Sequence, residues 1–393
     1  MLTVGDVVRA VEARYPSSWA EPWDAVGLTC GDPDAPVRRV LLAVDPVAAV
    51  VDEALAFEAD LLLTHHPLLL RGVHSVAAGT PKGRLVHRLV RGGVALLTAH
   101  TNADVASPGV SDALASALGL VDLRPLEPRP ELQDKIVTFV PEPDVPRLLD
   151  ALAAAGAGRI GDYERCGYLV AGTGTFRPLA GANPVVGRVG DVEVAPETRL
   201  EMVLPRSARA AVVAALRAVH PYEEPAFDVL ELAGVDADRG LGRIGTLPEP
   251  ETLEDLLVRV ADALPSTAGG VRAAGAPERV VQSVAVCGGS GDSLLVAARR
   301  AGADAFVTAD LRHHPASEAL EPGGPSGPAL VDVSHWASEW PWLGQAASLL
   351  AADLGGAGVQ LRVSGTCTDP WTLHAETLPP GSPGIDDDMG EDE

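Results

Sequence analysis

Lysine, cysteine and aromatic residues are all scarce in this chain. Lys82 and Lys135 are its two lysines, four residues are cysteine, and 4% are aromatic. Cys30, Cys166, Cys287 and Cys367 stand far apart with no Cys-x-x-Cys pair, which excludes a thiolate zinc site or a disulfide framework and suits a reducing compartment. With so few aromatics, the cores must be built from Ala, Val and Leu. No uncharged apolar run reaches membrane-spanning length. The start is no signal peptide either, because Thr3 and Asp6 read as a capping box opening a helix with Val4, Val7, Val8 and Val11 on one face. Together these absences imply a cytoplasmic protein. Basic charge is also short, 30 Lys and Arg against 54 Asp and Glu, for a net −24. That balance argues against non-specific nucleic-acid binding and against an anionic membrane surface. A small anionic substrate is not excluded, since it responds to the local field of a site.

What is present is a repeated alternation of strand and helix signals. At 393 residues two or three domains are expected. In the first third, Val40–Val44, Leu61–Thr64 and Val94–Leu97 read as buried strands, with helices over 47–58 and 83–91. Consecutive β-α-β units imply a parallel sheet with ligands beyond the carboxyl ends of its strands. The last third repeats the pattern with strands at 281–286, 305–308 and 329–333. Ala59-Asp60, three apolar residues, Thr64 and then His65-His66-Pro67 match Ala303-Asp304, three apolar residues, Thr308 and then His313-His314-Pro315, as in a diverged internal duplication.

The middle reads differently. Strands at 135–140, 166–171, 199–204 and 226–232 with helices at 144–155 and 207–219 give the β-α-β-β-α-β order of a ferredoxin-like domain. The expected fold class is therefore α/β: two similar halves with mostly parallel sheets, over 1–130 and 239–378, interrupted by an insert over 131–238. The run 379–393, rich in Pro and Gly and then in acid, is expected to be disordered.

Chemistry gathers at the strand ends. His65-His66, His100 through Asp104, Asp310 with His313-His314, and His335 with Glu339 all follow apolar runs. Histidines and carboxylates at several ends of one sheet edge are what a metal centre in an α/β protein requires. Adjacent residues on a strand point to opposite faces, so His65 and His66 reach one centre only if the chain turns there, as Pro67 allows. His335 and Glu339 are i and i+4 on a helix and share its face. Read singly, each has an ordinary alternative: a core histidine, a surface ion pair, an N-cap for Asp104. Asp310, His314 and His100 are candidates for acid–base or ligand-orienting roles. Gly288-Gly289-Ser290-Gly291 offers amides, at Ser290 and Gly291 above all, to an anion, without a P-loop lysine or dinucleotide fingerprint. His220-Pro221-Tyr222-Glu223-Glu224-Pro225 reads first as a structural turn or interface.

These segments, with Trp23-Asp24-Ala25-Val26-Gly27-Leu28, Thr64-His65-His66-Pro67, His100-Thr101-Asn102-Ala103-Asp104, Gly289-Ser290-Gly291-Asp292, Thr308-Ala309-Asp310 with His314, and His335-x-x-x-Glu339, resemble the NIF-three-like dinuclear-metal-centre proteins, known also as GTP cyclohydrolase I type 2 homologues. Gly172-Thr173-Gly174-Thr175-Phe176, His220 through Pro225 and Gly242-Arg243-Ile244-Gly245 resemble the longer bacterial members. The resemblance implies His65, His66, Asp104, His335 and Glu339 as ligands of two divalent cations (zinc, iron, manganese, cobalt or nickel), a P-II-like insert and a homohexamer. Ser334 and Phe227 stand where members usually carry Gly and Tyr. The implied activity is metal-dependent hydrolysis, with GTP ring opening as the named case and a small anionic or nucleotide-like substrate. A phosphoester or nucleotide hydrolase, or a non-enzymatic hexameric metal-binding scaffold, are the other readings.

Overall fold

The apolar runs of the outer thirds form two parallel-cored sheets. A computed structural model describes residues 2–234, 238–321, 327–355 and 358–376; the tail expected at 379–393 lies outside them. In the first sheet β2 (Arg39–Ala43), β3 (Leu61–Thr64) and β4 (Ala95–Thr98) are mutually parallel. Antiparallel β1 (Gly27–Cys30) and parallel β15 (Gln360–Val363) complete the order β1-β4-β3-β2-β15. The residues of β3 and β4 are buried without alternation, the signature of strands covered on both faces. On one face Leu41, Leu62 and Leu96 pack with Val50, Val51 and Ala54 of α2 (Ala48–Ala56) and with Val86 and Leu89 of α3 (Pro81–Gly92).

The second sheet has the order β11-β14-β13-β12-β10-β5, from β5 (Val121–Pro128), β10 (Gly240–Thr252), β11 (Arg272–Ala274), β12 (Val280–Ser290), β13 (Ala305–Ala309) and β14 (Ala329–Val333). Its parallel trio β12-β13-β14 and antiparallel β11 reproduce the β2-β3-β4 trio with β1. The two halves are thus topologically alike, as the duplicated sequence pattern implies. The opposite face of the first sheet (Leu42, Leu61, Leu63, Leu97) and the second sheet (Val284, Val307, Val331) share one core. Into it enter Val4, Val7 and Val11 of α1 (Val4–Arg14), Leu114 of α5 (Val110–Ala117), Leu256 of α8 (Leu253–Ala263), and Trp342 and Leu343 of α11 (His335–Asp353). Capping boxes at Thr3 and Thr252 start α1 and α8 by satisfying otherwise unpaired amides. The short helices α4 (Thr101–Val105), α9 (Leu295–Arg300) and α10 (His313–Leu320) follow β4, β12 and β13.

By its internal contacts the chain divides into this unit, Met1–Glu127 with Asp238–Glu393, and a second, Pro128–Ala237. The second runs β6 (Gln133–Val140), α6 (Val145–Ala154), β7 (Tyr168–Phe176), β8 (Glu193–Pro205), α7 (Arg209–Val219), β9 (Phe227–Glu231). Its antiparallel sheet has the order β7-β8-β6-β9. Ile136, Leu200 and Met202 of the sheet pack against Leu148, Leu152, Val212 and Leu216 of the helices. No helix among the described residues is long and apolar enough to cross a membrane.

Candidate metal centre

The carboxyl ends of β3, β4 and β14 deliver their polar residues to one place. His65 and His66 leave β3 while their amides still donate to the Ala43 and Val44 carbonyls (3.1 and 2.8 Å). The Thr64 hydroxyl donates to the His66 carbonyl (2.8 Å), which holds the bend and lets both rings face the same space, 5.0 Å apart. His65 is wholly buried, its Nδ1 on the Ala99 carbonyl at 3.0 Å and its ring 5.3 Å from that of Trp342. This contact leaves Nε2 as the free end.

Glu339 is the hub. Its carboxylate lies 3.4 Å from His65 Nε2, 3.2 Å from His66 Nε2 and 2.9 Å from His335 Nε2. Asp104, carried by α4, lies 3.6 Å from His65 Nε2. The His335 and Glu339 side chains share one face of α11, one turn apart. Ser334 caps that helix by accepting from the Ala337 amide at 3.5 Å, and its hydroxyl donates to Asp369. The serine that departs from the family's glycine therefore ties the start of α11 to the segment after β15. In that segment the Thr368 hydroxyl also donates to Asp45.

A carboxylate holds the far nitrogen of three imidazoles. Asp45 pairs with His66 Nδ1 at 2.7 Å, Asp24 with His100 Nδ1 at 2.8 Å and Asp310 with His335 Nδ1 at 2.6 Å. This is how metal-ligating imidazoles are commonly oriented, with Nε2 presented to the ion. Asp310 adopts a left-handed backbone, φ +55°, which aims its carboxylate at His335 while the Leu311 amide bonds Asp332 (3.1 Å). The role of Asp24 was not legible from the sequence, because its partner lies 76 positions away. His100 stands 5.2 Å from the His65 ring and 5.4 Å from that of His66. Potential ligand atoms of His65, His66 and His100 lie within 4.8 Å of one another, as do those of His66, His335 and Glu339. His314, at the exposed start of α10, has its ring 5.2 Å from His313. Among the described residues no hydrogen bond or ion pair joins it to the cluster.

The glycine run before α9 serves the centre by being small. A Cβ on Gly289, whose φ is +68°, would stand 2.5 Å from a Glu339 oxygen and 3.1 Å from His335 Nε2. The amides expected to cradle an anion are largely used within the protein: Gly288 donates to Ser111 Oγ, Gly289 to Ser338 Oγ and Gly291 to the Ala309 carbonyl. The six-residue α9 beyond Ser290 and Gly291 adds no long helix dipole.

The electrostatics are those of a site balanced by cations. Burial opposes charge on His66, but Glu339 and Asp45 outweigh it and raise its pKa to about 11. Burial likewise opposes charge on His335, which Glu339 and Asp310 raise to about 10. Burial raises the Asp104 carboxyl, with Glu339 adding to the rise against the pull of the imidazoles. Against its own burial, Glu339 is held well below the usual carboxylate range by the three imidazoles around it. His65 Nε2, His335 Nε2 and Glu339 Oε2 are buried without a well-formed hydrogen bond. Unsatisfied atoms of this kind are costly, and imidazole nitrogens converging with carboxylate oxygens are a donor set for a divalent transition metal. The residues fit such an ion.

Asp310→Asn keeps the left-handed backbone, which Asn tolerates, and removes only the charge behind His335. It is expected to weaken metal affinity about 10–100-fold, measured by competition with a chromophoric chelator. Unchanged affinity would mean that the carboxylate does not support the ligand.

Comparison with known proteins covers nearly the whole chain. Residues 2–370 match the model of the Duf34/NIF3 (NGG1p interacting factor 3) family. A Mycobacterium tuberculosis protein named GTP cyclohydrolase 1 type 2 homolog is 54% identical over 376 residues, 95% of this chain and 98% of that one. A Bacillus subtilis protein of the same name is 37% identical, covering 93% and 97%. The crystal structure of a Bacillus cereus protein related to NIF3 is similar with a TM-score of 0.75 at 34% identity, covering 95% of this chain and 99% of that one.

Proposed function

The chain belongs to the Duf34/NIF3 family, and from that premise we propose that it is a metal-dependent hydrolase whose two divalent cations are held by His65, His66, Asp104, His335 and Glu339. The observation that carries this reading is the set of buried, unsatisfied atoms on His65, His335 and Glu339, which face one another from the end of β3 and the first turns of α11. When bound, such cations supply Lewis acidity to a substrate oxygen and make water more acidic. The chain's own residues do the rest. Glu339 reaches three imidazoles with its two oxygens, so its carboxylate would hold the cations together with them. Asp45 and Asp310 keep His66 and His335 presenting Nε2. His100, fixed by Asp24 beside the ligands, is placed to move a proton at its remaining nitrogen.

The specific reaction proposed is hydrolytic opening of the purine ring of GTP with release of formate, supported by the names of the relatives. The proposal includes a homohexameric assembly and a nucleotide-like substrate. Protein reconstituted with zinc, manganese or iron(II) is to be assayed for formate release from GTP and for phosphate release from a panel of nucleotides and phosphoesters. Turnover that disappears on chelation and in Glu339→Ala is expected. Turnover indifferent to both would overturn the metal-dependent chemistry. Full metal occupancy with no turnover on any substrate would overturn the hydrolase reading in favour of a binding scaffold.

A further inference from the structure

Two motifs that the metal centre does not use, Gly172–Phe176 and His220–Pro225, meet at one cavity in the Pro128–Ala237 unit. Its volume is about 590 Å³, in the range of small-molecule sites. The walls that matter are Phe139, Gly174, Phe176, Glu197, Arg199 and Tyr222. The Phe176 and Tyr222 rings lie 6.0 Å apart at 53°. His220 is fully engaged in holding this wall. Its Nε2 donates to the Phe139 carbonyl at 3.1 Å, its Nδ1 accepts from the Tyr222 amide at 3.1 Å, and its ring packs 5.2 Å from that of Tyr222. The segment that reads in sequence as a structural turn is thus a scaffold for an aromatic wall.

Glu197 occupies a place made for it. A Cβ on Gly174 would stand 2.1 Å from Glu197 Oε2, so glycine in β7 is what lets the carboxylate lie across the strand. Among the described residues, no Lys, Arg or His lies within ion-pair distance of Glu197. Tyr222 Oη is buried without a well-formed hydrogen bond and is turned towards the Glu197 carboxylate. Burial and the Glu197 carboxylate both raise its phenol, which keeps it protonated as a donor. Arg199 lines the cavity but is committed elsewhere. Its Nε is held by Glu201 at 2.8 Å, and its guanidinium lies 5.9 Å from the centre of the Phe139 ring. One aromatic face in the cavity thus already accepts a cation. Glu223 and Glu224 with Glu197 give the lining three carboxylates against the guanidiniums of Arg177 and Arg199, and among the described residues neither guanidinium is ion-paired with Glu197. Aromatic faces around an uncompensated carboxylate recognise an organic cation, the rings through their quadrupole and the carboxylate through charge.

We propose that this cavity binds a small organic cation, an amine or guanidine with a flat or apolar body, whose charged head pairs with Glu197 and whose body lies among Phe139, Phe176 and Tyr222. This activity is separate from the metal chemistry, because every residue invoked belongs to the second unit. Titration calorimetry on the full-length, metal-loaded protein is the test, with agmatine, tyramine and choline as cationic probes and 4-hydroxyphenylacetate as the anionic counterpart of tyramine. At least one cation is expected to saturate one site per chain with Kd below about 1 mM, while the carboxylate does not bind. Glu197→Gln, nearly isosteric, is expected to weaken that binding about tenfold or more, with metal content and melting temperature unchanged. Tyr222→Phe, which removes one hydroxyl, is expected to weaken it to a smaller extent. No saturable binding by any of the three cations, preference for the carboxylate, or affinity unaltered in both variants would each overturn the proposal.

Discussion

Glu339→Gln is expected to reduce the metal content of the purified protein to less than about half of the wild-type value, because this one carboxylate reaches three of the imidazoles that would hold the proposed cations. The substitution preserves the shape of the residue and its helical position. It removes the charge and one of the two oxygens that reach His65, His66 and His335 at 3.2–3.4 Å and 2.9 Å. Glu339 is 3% exposed, so no solvent molecule readily takes its place and the three imidazoles remain with Asp104 as the sole nearby carboxylate of the proposed ligand set. Metal analysis by plasma mass spectrometry on untagged protein, purified without chelators, reads the effect directly. Wild-type stoichiometry in the variant would remove Glu339 from the ligand set. Retention of about half of the wild-type metal would assign Glu339 to only one of the two proposed cations.

Arg243→Met is expected to cost about 3–5 kcal/mol of stability, the largest effect anticipated outside the metal centre. Arg243 is 1% exposed, and all its donors are used. Nε and Nη2 grip Asp112 at 2.8 Å each, Nη1 donates to the Gly240 and Gly242 carbonyls at 2.7 and 2.8 Å, and Nη2 also donates to the Ala106 carbonyl. Asp112 sits in the first turn of α5 and accepts from the Gly109 amide (2.7 Å). Methionine fills much of the volume but leaves a buried carboxylate and three carbonyls without their partner, and breaking a buried pair costs far more than never having made it. The melting temperature should fall by roughly 10 °C. The double variant Asp112→Leu with Arg243→Met should recover part of the loss, because it removes the stranded charge. A single-variant loss below about 1 kcal/mol would show that the pair behaves like a surface ion pair. Since α5 packs against α11, local loosening in Arg243→Met should also raise the hydrogen exchange of α11.

Much of the core was legible because its strands are of the most readable kind. Leu61-Leu62-Leu63-Thr64 and Ala305-Phe306-Val307-Thr308 are continuous apolar runs between polar turns, and strands buried on both faces by parallel pairing look like that. The repeated Ala-Asp-(three apolar)-Thr pattern corresponds to two sheets with the same strand order, β1-β4-β3-β2 and β11-β14-β13-β12. The antiparallel edges were not legible. Gly27–Cys30 and Arg272–Ala274 are short and mostly half-exposed or exposed, and they become strands only by bonding β4 and β14. The glycine run at 288–291 reads in sequence as a place for an anion, since loop glycines before a helix often serve that purpose. Its packing against Glu339 and His335 answers instead to a neighbour supplied by a distant helix, which no local pattern encodes.

The residue types at the centre, their order and their placement at strand ends were determined by the sequence alone, because period and polarity decide where a strand stops and which polar residues succeed it. Which carboxylate supports which imidazole was decided only by the tertiary structure. Asp24 meets His100, Asp45 meets His66 and Asp310 meets His335 because the ends of β2, β3, β4 and β13, the start of α11 and the segment before β1 are brought together by sheet order and by the shared core. The same is true of Glu197, whose isolation beside Gly174 and Tyr222 comes from the pairing of β7 with β8 and from the turn after α7. Hydrogen bonds and ion pairs act over about 3 Å, and only a folded chain brings residues so far apart in sequence within that range.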